Sequence, residues 1–368
     1  MSTHEQLLYL LRAALWGVGV DPSHFSAKTE WGVIYRLAQQ QTVAALIYDA
    51  LASLPAEKQP EPALLRQWYI HVIKVEQSHR LLNLRLAEVT NLLQSNGIRS
   101  VLLKGQGVAQ NYPNPARRQC GDIDLYIGKG NYKKAYDTSQ KWDSVQEVER
   151  DDTKHYSFRW RGVTIELHRI ALFLRKFQHW TEYHLTSDKL RRWTIEGVEI
   201  LLPPVNFDAL YIFNHAYSHF ILGGIGLRQL CDWALYLHAF GNEIDRQQLK
   251  HDLDSFELMR VWQIFGHIAV NYLGLAENEM PFYTDRYKKR AEKVLRYILK
   301  DGNFGFYSQR SKPPKNYLRK KLHTLLRILQ RACRLLSLFP KDTIAYLISF
   351  IPNGISVVTN DMFRISRK

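Results

Sequence analysis

The six residues Asp122-Ile123-Asp124-Leu125-Tyr126-Ile127 restrict the fold of this 368-residue chain more than any other stretch. Side chains of a strand alternate between its two faces. Ile123, Leu125 and Ile127 therefore point into a core, while Asp122, Asp124 and Tyr126 point the other way. Taking a carboxylate out of water without a partner costs several kcal/mol. Two acids on one strand face thus call for a cleft that holds positive charge. Strand rise separates their Cα atoms by roughly 6.5–7 Å. Carboxylates so placed can hold a divalent cation between them, or one on either side. Magnesium suits such a site, because it takes a few carboxylate oxygens, water and the oxygens of a bound phosphate.

Two neighbouring stretches extend the pattern. In Val163–His168, Glu166 stands between Ile165 and Leu167, again an acid inside an apolar strand. If that strand lies beside the first, three carboxylates converge, the equipment of two-metal phosphoryl chemistry. The plainer alternative makes Asp122 a turn residue after Gly121 and pairs Glu166 with a nearby arginine. Upstream, "VLLKGQGVAQNY" reads as strand, glycine, short helix. A strand-to-helix turn leaves backbone N–H groups free to meet a phosphate, and Lys104 adds a charge there.

Around this centre the hydrophobic period changes twice. Residues 1–95 show apolar residues at three- and four-residue spacing, the mark of helices, ending at Asn96-Gly97. Residues 96–203 form a small mixed α/β segment. Its strands are expected in "IRSVLLKG", "DIDLYI", "HYSFRW", "VTIELH" and "GVEILLP", with a hairpin turn at Arg161-Gly162. Helical period returns over 204–312, and Pro313-Pro314 separates it from a C-terminal segment, 313–368. There an amphipathic helix is expected from about Tyr317 to Phe339, its apolar face formed by Leu318, Leu322, Leu325, Leu329, Ala332 and Leu336. The apolar stretch 344–358 is too short to span a bilayer and reads as a packed element. The fold class is thus α+β: a small mixed-sheet core flanked by N-terminal and C-terminal helical segments.

Charge is concentrated in one region. Residues 286–331 hold 15 Lys/Arg and two acids, Glu292 and Asp301, a net +13 of the chain's +15. An anionic membrane surface, nucleic acid or an acidic protein is the partner class such a segment suits. The three cysteines, Cys120, Cys231 and Cys333, are widely spaced and fit a reducing compartment better than a disulfide framework or a zinc site. The N-terminus carries Glu5 and no early basic cluster, so no signal peptide is expected. The expected location is cytoplasmic, with a peripheral place at the inner face of the membrane open to the basic helix.

Together, "LLKG…YPNPARRQCGDIDLYI…VTIELH" resembles the polymerase-beta-like nucleotidyltransferase superfamily, and more closely an uncharacterised bacterial nucleotidyltransferase family within it. Lys104 and Gly105 match the family's turn, Tyr112 and Pro113 its loop, and Arg118 an arginine four residues before the first aspartate. Asp122 and Asp124 match the metal aspartates, and Glu166 and His168 a Glu-Leu-His. His215, Arg228 and Asp232 match a helical histidine and a Leu-Arg-x-x-x-Asp pattern. Gln106 departs from the wider superfamily, where Gly or Ser commonly follows the glycine.

The resemblance implies transfer of a nucleoside monophosphate from an NTP to a hydroxyl or phosphate acceptor, with Mg2+ or Mn2+ as cofactor. Asp122, Asp124 and Glu166 would be the catalytic and metal-binding residues. Lys104, Gly105, Gln106 and Arg118 would bind the nucleotide. The acceptor is open among a protein side chain, a sugar, a lipid-linked glycan and an RNA end. The alternative is a catalytically weak or inactive binding or regulatory module of the same fold, membrane-peripheral through its basic helix.

Several further residues have simpler expected roles. His215 and His219, four apart on a helix, lack the glutamate of a zinc-protease motif and are expected to pack or hydrogen-bond. Arg228 and Asp232, also four apart, are expected to pair on a helix surface, with a role supporting the site or lining an acceptor pocket as the alternative. His168 is expected on the strand face opposite Glu166, in the core or supporting the site rather than ligating a metal, and His155, at the start of its strand, is given no site role.

Overall fold

Helices occupy both ends of the chain and strands its middle, following the two changes of hydrophobic period. The computed structural model describes residues 1–151, 155–172, 175–303, 317–345 and 347–348. The N-terminal helices are α1 (Thr3–Trp16), α2 (Trp31–Gln40), α3 (Ala44–Leu51) and α4 (Pro62–Ser95). Then follow β1 (Val101–Leu103), α5 (Gly105–Ala109), β2 (Asp122–Tyr126), α6 (Gly128–Ser139), β3 (Val145–Asp151), β4 (His155–Trp160) and β5 (Val163–His168). Next come α7 (Arg175–Thr186), β6 (Arg191–Ile195) and β7 (Val198–Leu202). The chain continues through α8 (Val205–Leu222), α9 (Leu227–Phe240), α10 (Arg246–Ser255), α11 (Met259–Asn271), α12 (Lys288–Asp301) and α13 (Tyr317–Leu336).

The strands form one mixed sheet in the order β3-β4-β5-β2-β1-β7-β6. β2 runs parallel to β5, and β1 parallel to β7, while the other neighbours are antiparallel. The β4–β5 hairpin turns at Arg161-Gly162, both at positive φ, where glycine costs nothing.

Alternation in the central strands sends their two faces into different cores. Ile123, Leu125, Ile165, Leu167, Tyr156 and Phe158 pack into a smaller sheet core. Val101, Leu103 and Tyr126 face a larger core, shared by the N-terminal helices α1–α3 and the later helices α8–α12. The acids lie on this second face, at the boundary between sheet and helices.

Helix α4 joins the two cores. Its buried residues Trp68, Val72, Val75, His79, Leu82, Leu86, Val89 and Leu93 recur at alternating four- and three-residue steps, which make one continuous stripe. At 1.5 Å per residue its 34 residues span about 51 Å. Trp68, Val72 and Val75 belong to the larger core, and Leu82, Leu86, Val89 and Leu93 to the smaller. His79 lies between them, beside Arg118.

At the C-terminus the packing corrects the expected apolar face. Arg331, Ala332 and Leu335 are buried, whereas Leu329 and Leu336 are exposed. The reason is a buried anchor. Arg331 donates to the carbonyls of Ile221 and Phe220 and to Asp301 Oδ2, which turns that side of α13 inward. The side chains of Leu318, Leu322 and Leu325, the Pro313-Pro314 break and most of the stretch 344–358 lie outside the described residues. Of that stretch, Ile344 and Ile348 are exposed rather than packed. Among the described residues, no helix is long and apolar enough to cross a membrane.

Candidate active site

The parallel pairing of β2 and β5 places Asp124 directly opposite Glu166, and Asp122 opposite Thr164. Since i and i+2 share a strand face, Asp122, Asp124 and Glu166 all meet the same cleft. On the other side of β2, antiparallel β1 sets Leu103 opposite Asp124, which delivers the following turn to the carboxylates.

That turn is sharp and strained. Lys104 adopts φ 55°, ψ −133° and Gly105 φ 48°. Positive φ suits glycine but costs a side-chain-bearing residue on the order of 1–3 kcal/mol. The reversal aims the lysine inward. Lys104 Nζ lies 3.2 Å from Asp124 Oδ2 and donates to His215 Nε2 at 3.1 Å. His215 comes from α8, so the turn, the sheet and the helical layer meet at one ammonium. Tyr211, one turn earlier on α8, stacks on the His215 ring.

The opposite face expected for His168 is corrected here. Glu166 and His168 are two residues apart and so share a face. His168 Nε2 donates to Asp124 Oδ1 at 2.8 Å and lies 3.4 Å from Glu166 Oε2. His155 stands opposite His168 across the β4–β5 pair, its Nε2 3.7 Å from the same Glu166 oxygen. His155, Glu166 and His168 could together hold a metal ion.

The charges in this cluster set one another. Burial would raise the Asp124 carboxyl, but Lys104 and then His168 hold it far below the usual range. Asp122 behaves in the opposite way. The charge of Asp124, followed by burial, pushes it up to about 6, with Lys104 offsetting part of the rise. Burial works against a charged His168, yet hydrogen bonds to Asp124 and Glu166 raise it to about 9. The bond from His168 in turn lowers Glu166, against burial. Burial and the nearby Lys104 ammonium push His215 well below its ordinary value, and His219 down to about 4. His215 is thus a neutral acceptor for Lys104.

The residues fit a divalent cation. Three carboxylates on one face form a hard oxygen donor set, and an added cation would oppose the rise that the Asp124 charge imposes on Asp122. Both Asp124 oxygens already have cationic partners, so an incoming ion would share that carboxylate with Lys104 and His168.

Other expected site residues are placed elsewhere. Arg118 is 3% exposed and makes a two-pronged pair with Asp232, Nε and Nη2 each donating at 2.7 Å. Tyr112 Oη donates to the same carboxylate at 2.5 Å. The expected surface pair of Arg228 with Asp232 is therefore corrected. Asp232 is buried and taken by Arg118, and Arg228 donates to the Gln119 carbonyl instead. Gln106 is 0% exposed, and neither end of its amide has a partner among the described residues. Sequence reasoning undervalued His168 and His155, although counting strand alternation would have found both. All three cysteines are free.

Residues 27–274 match the model of a protein family described as uncharacterised nucleotidyltransferase. The chain is a nucleotidyltransferase-family protein. It belongs to that uncharacterised family, whose match covers the sheet, the carboxylates and the helices α8 and α9. No curated protein matches it. Among solved structures it is similar to an antigenic nucleotidyltransferase-like protein from Paracoccidioides brasiliensis, at 16% identity and a TM-score of 0.33. That likeness covers 52% of this chain and 92% of the other.

Proposed function

We propose that the protein transfers a nucleoside monophosphate from an NTP to a hydroxyl or phosphate acceptor, with Asp122, Asp124 and Glu166 as its metal-binding carboxylates. The observation that carries this reading is the register of Asp124 against Glu166, which gathers three acids on one cleft face. Bound Mg2+ or Mn2+ would supply charge to the transferring phosphoryl group and lower the pKa of the acceptor.

The remaining work falls to the chain itself. Lys104 is held at the carboxylates by a strained turn and contributes a fixed positive charge where phosphate charge would develop. His168 braces Asp124 and Glu166 against each other, so the two strands present them at one spacing. Gln106 carries unspent donor and acceptor capacity beside the turn. Arg118 acts from outside the cleft: its pair with Asp232 fixes the loop that leads into Asp122.

The test is thermal unfolding with each of the four NTPs, with Mg2+, Mn2+ or EDTA, on the wild type and on Asp122→Ala/Asp124→Ala. A ligand at 100 times its Kd adds about 2.7 kcal/mol to stability. The expected result is a metal-dependent shift with at least one NTP that the double variant loses. A folded wild type that no NTP shifts, with either metal, would refute the transfer reading.

A further inference from the structure

The carboxylate face ends in two imidazoles, of which the transfer reading uses only His168, and only as a brace. We infer that His155, Glu166 and His168 form a separate cation site of mixed nitrogen and oxygen donors, selective for a borderline transition ion such as Zn2+ or Co2+ over Mg2+. The inference goes beyond the transfer reading and does not depend on it, although both use Glu166.

The geometry supports it at three points. First, the donors converge on one atom: His168 Nε2 and His155 Nε2 lie 3.4 and 3.7 Å from the same Glu166 Oε2. One ligand atom from each of the three residues falls within 4.8 Å of the others. Bonds of about 2.0–2.1 Å at tetrahedral angles put neighbouring donors about 3.4 Å apart. Closing on an ion therefore takes modest rotations and the loss of the Nε2 proton that His168 gives to Asp124, a proton released to solvent as the metal takes its place. Second, strand pairing sets the donors side by side. His155 and His168 are a directly opposed pair of β4 and β5, and Glu166 precedes His168 by two on the same face. Third, the site is reachable, with the His155 and Glu166 side chains 30% and 25% exposed and His168 12%.

Donor chemistry decides which ion. Magnesium takes an octahedron of oxygens and gives up its water reluctantly. Imidazole suits Zn2+, Co2+ and their neighbours far better than it suits Mg2+. Two imidazoles and one carboxylate match the three protein ligands of open zinc sites, where a fourth position is left to water or substrate. The Asp122–Asp124 pair offers only oxygens. The cleft therefore sorts hard and borderline ions into adjacent positions.

The experiment uses the full-length, metal-stripped protein titrated with Co2+, read by its visible d–d absorption and by calorimetry without nucleotide. The expected result is one equivalent bound with the intense bands of a four-coordinate nitrogen-containing site. His155→Ala should weaken Co2+ binding at least about tenfold, and His155→Asn, which keeps size and polarity, should weaken it similarly. Asp122→Asn should leave the spectrum in place. A hundredfold excess of Mg2+ should not displace the ion. Unchanged binding in both folded His155 variants, or displacement of Co2+ by equimolar Mg2+, would overturn the inference. Its failure is distinct from that of the transfer reading. NTP- and Mg2+-dependent stabilisation without a Co2+ site removes only this inference. A Co2+ site without any NTP effect removes only the other.

Discussion

Asp232→Ala tests how the helical layer holds the loop that leads into the carboxylates. The carboxylate of Asp232, 6% exposed, accepts two bonds from Arg118 at 2.7 Å and one from Tyr112 at 2.5 Å. Deleting it leaves the Arg118 guanidinium buried and charged with no counter-ion. Stranding one partner of a buried pair costs about 3–5 kcal/mol, whereas replacing both by apolar groups of similar volume is near neutral. Asp232→Ala should therefore cost about 3–5 kcal/mol in urea unfolding followed by tryptophan fluorescence. Arg118→Met/Asp232→Leu should recover part of that loss, short of what the buried Tyr112 hydroxyl costs without its acceptor. The cost should also depend on pH. Arg118 holds the Asp232 pKa below its ordinary 3.8, against the pull of burial. A depressed native pKa gives stability that is present above the unfolded value and lost as pH falls through the native one. The difference between wild type and variant should thus be full at neutral pH and shrink below about pH 4. A cost under about 1 kcal/mol at neutral pH, or a double variant no better than the single, would refute the argument.

Three further outcomes follow from particular contacts. Gln106→Met should stabilise the ligand-free protein by about 1–3 kcal/mol, because it removes buried polar atoms that lack partners; a drop in thermal stability would mean the amide is paired. Gly226→Ala should destabilise by about 1–3 kcal/mol in urea unfolding, since its Cβ would meet the Gln41 carbonyl oxygen at 2.7 Å; an unchanged midpoint would show that the α2–α3 turn yields freely. Arg331→Met should cost about 3–5 kcal/mol by unbonding Asp301 and two α8 carbonyls; a much smaller loss would mean α13 docks through its apolar residues alone.

The central strands were legible because their alternation is strong and their acids are out of place in an apolar run. The outer ones were not. Strand β6 reads Arg-Arg-Trp-Thr-Ile and β3 Val-Gln-Glu-Val-Glu-Arg-Asp, with charge where a core strand shows alternation. Both lie at the sheet edges, where charged side chains discourage pairing with other chains. Arg118 and Asp232 lie 114 residues apart. Local spacing suggested Arg228 as the partner of Asp232, and only the packing of the loop against α9 decides otherwise. The inward side of α13 was misjudged for a related reason. Arg331 counts as polar in any periodicity, yet carbonyls at the end of α8 and Asp301 of α12 satisfy it in the interior.

Why a sheet tolerates three acids on one face follows from what surrounds Asp124. That carboxylate is 5% exposed, and its two oxygens are divided between Lys104 and His168. The lysine comes from a turn whose backbone strain is sustained by β1 on one side and α8 on the other. The histidine comes from the neighbouring strand. The chain thus supplies its own counter-charge to Asp124, while the charge of Asp124 and then burial push the Asp122 carboxyl up to about 6, with only part of that rise offset by Lys104. Of the three acids, Asp122 is the one whose carboxyl is left raised. An added positive charge beside Asp122 would therefore oppose the rise that Asp124 imposes on it. The same division explains why the acids cost the fold little: the innermost carboxylate is paired, and the outer one can accept a proton when no cation is bound.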